Sequence, residues 1–181
     1  MQAQVTAAEE KRYAELQLLA IGFARQGETE PLAEMLHHGL PVNLADLKGN
    51  SLLMLASYNG NSETTQMLLE YGAEVDRRNN RGQTPLGGTA FKGHTEIVDL
   101  LLDFGADIDA DNGGGMTPLM FAAMFGRTRV VEQLQARGAS LQHRNHLGFS
   151  AGFMARASSW LARLFARTRS NPKMFHDSPR I

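Results

Sequence analysis

The chain has 181 residues, enough for one compact domain, with 43% apolar and 20% charged side chains, an ordinary soluble composition. Cysteine is absent, which excludes disulfides, thiolate zinc sites and cysteine nucleophiles. A net charge of −1 hides a split: residues 1–143 carry 11 Lys and Arg against 18 Asp and Glu, whereas residues 144–181 carry seven basic residues against Asp177 alone.

The N-terminal stretch MQAQVTAAEEKR is polar and lacks the apolar core of a signal peptide, so residues 1–12 are expected to be a flexible segment and the chain cytoplasmic. The longest apolar run, Leu119 to Phe125, is far short of the roughly 20 residues that span a bilayer. From residue 13 onward a period governs the sequence. Gly49, Gly82, Gly115 and Gly148 lie 33 residues apart, as do Gly27, Gly60, Gly93 and Gly126, and Gly39, Gly72, Gly105 and Gly138. A fixed period of this size marks stacked units that bury their apolar faces only against neighbours.

The period divides the chain into a degenerate N-terminal unit (13–45), three central units (46–78, 79–111, 112–144) and a truncated C-terminal cap (145–168). In the clearest unit, residues 79–111, Arg81-Gly82 supplies a turn, Thr84 an N-cap and Pro85 the first helical position. A short helix to about Lys92 is ended by Gly93. A second, from Thr95 to Phe104, has Ile97, Val98, Leu100, Leu101 and Leu102 on a broad apolar face. The cap position reads Ser51, Thr84, Thr117 and Ser150, all hydroxyls, and the end of the first helix reads Ala24, Ser57, Ala90 and Ala123, all small. The period therefore predicts an all-α solenoid of about ten short helices with β-hairpin-like loops along one edge.

GQTPL at 82–86, GMTPL at 115–119, KGHTEIVDLLLDFGADIDA at 92–110 and YGAEVD at 71–76 resemble the ankyrin-repeat family, over about residues 13–168. The resemblance implies non-catalytic protein–protein recognition, as an adaptor, scaffold or inhibitor. It does not imply an enzyme, cofactor, metal or small-molecule substrate, and a monomer is expected. The chain departs from the family where a histidine usually follows Thr-Pro-Leu: the positions are Met54, Gly87, Met120 and Phe153, and the next row is Leu55, Gly88, Phe121 and Met154. Adjacent glycines inside a helix cost about 1 kcal/mol each relative to alanine. Volume compensation by Met54, Met120, Leu55 and Phe121 is the expected reason, ahead of a notch that admits a partner side chain.

By register, the loop tips present Leu47, Lys48, Asn50, Asn80, Arg81, Gln83, Met116, His146, Leu147 and Phe149. The inner-helix ends present Tyr58, Asn59, Phe91, Lys92, Met124 and Phe125. Tyr58, Phe91, Met124 and Phe125 form an aromatic and thioether stripe where solvated helix ends are ordinarily polar, the pattern of an interface. Lys48, Arg81 and Lys92 would supply rim charge for a partner protein held in this concave groove.

Other patterns carry less chemistry. Gly113-Gly114-Gly115 lacks the Gly-Lys-Ser/Thr of a phosphate loop and reads as a turn tip. His37-His38, and His143 with His146, do not converge with acids at metal-ligand spacing. Asp107, Asp109 and Asp111 lack the glycine and distal glutamate of a calcium loop. Trp160, Leu161, Leu164 and Phe165 share a helical face bordered by Arg163, Arg167 and Arg169, which reads as a capping helix for the last repeat. The alternative is a basic amphipathic segment acting at an anionic membrane or on nucleic acid. Residues 169–181 are expected to form a flexible basic tail.

Overall fold

The computed structural model describes residues 6–157. Nine helices follow one another in this span: α1 (Ala7–Gln26), α2 (Thr29–His37), α3 (Leu52–Asn59), α4 (Ser62–Glu70), α5 (Pro85–Lys92), α6 (Thr95–Asp103), α7 (Pro118–Met124), α8 (Thr128–Ala136) and α9 (residues 151–157). Inner helices α1, α3, α5 and α7 pack in a row, outer helices α2, α4, α6 and α8 form a second row behind them, and each inner helix pairs with the outer helix that follows it. The core lies between the rows, where Leu32, Leu53, Leu68, Leu86, Ile97 and Leu119 are essentially inaccessible. The tenth helix expected in the cap, with Trp160 and its basic neighbours, and the tail from 169 lie outside the described residues.

Local chemistry explains where the inner helices start. Ser51, Thr84 and Thr117 accept hydrogen bonds from the amides of Met54, Gly87 and Met120, and Pro85 and Pro118 follow two of these caps. Outer helices receive no such bond from their own N-cap side chains. Those side chains reach backward instead. Asn61 donates to the carbonyls of Ala24 (3.0 Å) and Arg25 (3.1 Å), a ring nitrogen of His94 lies 3.3 Å from the Tyr58 carbonyl, and Arg127 Nε donates to the Phe91 carbonyl at 2.9 Å. Each satisfies a carbonyl left open at the end of an inner helix in the preceding repeat.

This cross-link gives one glycine ladder its physical reason. Gly93 ends α5 at φ +92°, and a β-carbon there would sit 2.9 Å from Cδ of Arg127. Gly27 and Gly60 stand in the same relation to Asn61 and His94. A second ladder ties neighbouring repeats on the other edge: Asn43, Asp76 and Asp109 accept from the amides of Glu74, Asp107 and Ser140 at 2.9–3.0 Å. The aspartates of 107–111 are thus loop fasteners, since Asp107 also accepts from the Asp109 amide and Asp111 from those of Gly113 and Gly115.

One expectation needs correction. Residues 7–12 are helical rather than flexible, because Thr6 and Glu9 form a capping box that starts α1 at Ala7. Ala, Glu, Lys, Leu and Gln then sustain a 20-residue helix, longer than the short helices the period suggests. The hydrogen bonds of the capping box also hold the Glu9 carboxyl below its usual pKa range, the backbone bond with Thr6 contributing most. The loops do reverse like hairpins, with the amides of Asp46, Asn79, Asn112 and Asn145 donating to carbonyls four residues on. Among the described residues, however, the one β-bridge joins Ala45 to Ser51.

Candidate partner-binding groove

The C-terminal ends of α3, α5 and α7 bring three aromatic rings into line. Tyr58 and Phe91 lie parallel with ring centroids 6.2 Å apart, and Phe91 meets Phe125 edge-on at 4.4 Å. The 33-residue register sets Tyr58 opposite Phe91, and Phe125 one residue beyond it closes the row. Tyr58 and Phe125 are 39% and 44% exposed, and Met124 beside them is 37% exposed, whereas Phe91 between its neighbours is half-buried. The ammonium of Lys92 stands 5.2 Å from the centroid of the Tyr58 ring, within cation–π range. Aromatic pairs of this kind contribute about 0.5–1.5 kcal/mol beyond the area they bury. The row is therefore held in place by its own contacts and still offers ring surface to solvent.

The paired glycines of α5 turn out to serve this arrangement in a way that differs from the expected compensation. A β-carbon on Gly88 would lie 3.2 Å from Cδ2 of Tyr58, so the bare helix surface there seats the tyrosine ring. A β-carbon on Gly87 would collide with Asn112, whose side chain accepts from the Thr84 amide (2.7 Å) and hydroxyl (3.0 Å) and donates to the Ala110 carbonyl (2.8 Å). Asn112 and Tyr58 lie nearest to the space that β-carbons on Gly87 and Gly88 would take. Asn112 can turn inward because its loop is built differently. In the other loops Asp46, Asn79 and Asn145 clasp the amides two and four residues on. Asp111 takes over that clasp in the third, with Gly113, Gly114 and Gly115 all at positive φ.

The remaining sequence-predicted residues divide into exposed and structural. Leu47, Lys48, Asn80, Arg81, His146 and Leu147 are exposed at the loop tips. Asn50 and Gln83 are tied into the loops, each accepting from the side-chain amide of Asn79, and Asn59 donates to the Leu55 carbonyl at 2.7 Å. Met116 is half-buried, its sulfur 3.5 Å from Nδ2 of Asn145. Phe149 stacks on Phe153 at 4.5 Å, a partner that sequence reasoning placed only as a departure from the family pattern.

Asp46 anchors the first loop tip. Partial burial pushes its carboxyl pKa up, but the side chain and amide of Asn50, the amide of Lys48 and the Arg25 guanidinium, 2.8 Å away, outweigh burial and hold it below the usual aspartate value.

Comparison with known proteins decides the family. A family model described as ankyrin repeats, in three copies, matches residues 53–145, more than half of the chain. The chain belongs to the ankyrin-repeat family. An ankyrin repeat protein of Pseudomonas aeruginosa is 56% identical over 41 residues, which cover 23% of this chain and 24% of that protein. The match thus spans about a quarter of the relative's length. Ankyrin repeats are generally protein–protein interaction modules and are typically non-catalytic. Among the described residues no helix is long and apolar enough to cross a membrane.

Proposed function

We propose that this ankyrin-repeat chain binds a partner protein in its concave groove, without catalysis, as an adaptor, scaffold or inhibitor, and that it does so as a cytoplasmic monomer. The observation that carries the reading is the row Tyr58, Phe91 and Phe125, in which half-buried Phe91 touches an exposed ring on either side across three repeats. Rings already ordered in the free protein lose little side-chain entropy on binding, and aromatic anchors of this kind dominate interface energetics. Lys48, Arg81 and Lys92 at the rim add charge that orients the partner.

Recovery of a partner on immobilised protein tests the proposal. The Phe91→Ala/Phe125→Ala variant, once shown to be folded by circular dichroism, should lose the partner. A Tyr71→Ala/Phe104→Ala variant, which removes exposed aromatics at the ends of the outer helices, should keep it. Equal recovery by both would remove the groove as the binding surface.

A further inference from the structure

The charge around the groove deepens this reading and rests on it. We infer that the occupant is an acidic protein segment bearing aromatic or aliphatic side chains. Inner helices α3, α5 and α7 contain neither Asp nor Glu, and their one charged residue is Lys92. Outer helices α2, α4 and α6 are the reverse: they carry acids such as Glu34, Glu63, Glu96 and Asp103 and neither Lys nor Arg. The two central units built on α3/α4 and α5/α6 are thus polarised through their thickness, uncharged or basic toward the groove and acidic on the far side. By contrast, α1 carries Glu9, Glu10 and Glu15, and α8 carries Arg129.

The acids of the first and third loop tips are tied up within their own loops, and Asp46 is also ion-paired with Arg25. Both Asp46 oxygens are engaged by Lys48, Asn50 and Arg25, and Asp111 Oδ1 takes two backbone amides. Lys48 and Arg81 occupy equivalent, exposed positions on successive loop tips, and among the described residues neither they nor Lys92 is ion-paired. A partner carboxylate that takes up Lys92 would bring its neighbouring side chains onto Tyr58, Phe91 and Phe125. Charge complementarity steers an acidic segment to this face and repels it from the outer one. Within the groove, three cations without an ion-pair partner are few for a phosphate backbone, whose affinity grows with each phosphate neutralised, so the groove itself favours a peptide.

A random-peptide display library panned on the full chain tests the inference. Selected peptides should be rich in Asp and Glu together with Phe, Tyr, Trp or Leu, and should bind more weakly as salt rises. The K48E/R81E/K92E variant, altered at exposed positions only, should bind them about tenfold or more weakly. Selection of no peptides, selection without an acidic excess, or unchanged affinity in that variant would overturn the charge assignment. If F91A/F125A still loses the peptides in that case, the groove reading stands alone. If it does not, both fall. Tighter binding of single-stranded oligothymidylate than of the selected peptides would make the occupant a nucleic acid and equally overturn the inference.

Discussion

The Asn112 side chain fills the space that a β-carbon on Gly87 would need: that carbon would lie 2.0 Å from Asn112 Oδ1. Alanine at 87 gains about 1 kcal/mol of helix propensity. It also expels a 4%-exposed side chain that satisfies the buried Thr84 amide and hydroxyl. Leaving such groups unpaired costs about 1–3 kcal/mol each. Loss therefore outweighs gain. Gly87→Ala should be less stable than the parent by about 1–5 kcal/mol. Asn112→Ala should be destabilised comparably, and the double variant by less than the sum, because the clash disappears with the asparagine. Urea unfolding of the three variants measures this. A higher midpoint for Gly87→Ala would contradict it.

The backward reach of Arg127 to Phe91 predicts a ranking. Arg127→Ala removes one half-buried hydrogen bond and should cost about 0.5–1.5 kcal/mol. Gly93→Ala should cost more, since alanine at φ +92° carries about 1–2 kcal/mol of strain and its β-carbon also presses on Arg127. Thermal or urea unfolding gives the order directly, and the reverse order would contradict the cross-link.

Asp46 and Glu9 predict the acid limb of stability. Both carboxyls have pKa values lowered in the folded state. Their contribution is therefore complete above the unfolded values of about 3.9 and 4.3, and is lost as pH falls through the lower folded values. Stability should be insensitive to these groups near neutrality and decline below about pH 4. Asp46→Asn should flatten that decline. An identical acid limb in the variant would show that Asp46 does not contribute.

Much of this was legible in the sequence because it is local. A hydroxyl cap, a proline after it and a glycine at a helix end act within a few residues, so the period yields the solenoid and places Tyr58, Phe91 and Phe125 on one face. Pairings between repeats were not legible. Nothing near Gly87 announces Asn112, 25 residues on, because the asparagine turns inward only when three glycines let Asp111 take over the loop clasp. Gly93 reads as a turn residue, while the side chain that crosses it belongs to the next repeat. The start of α1 was missed because a capping box and helix propensity, not an apolar period, extend it to Ala7.

The central claim is that the ring row itself touches the partner. Site-specific incorporation of a photo-crosslinking phenylalanine analogue tests this most directly, at Phe125 in the row and, as control, at Phe104 after α6. Both positions are 44% exposed, so accessibility does not separate them. Irradiation in cells should give a discrete partner adduct from position 125 and none from 104. An adduct from 104 with none from 125 would contradict the account.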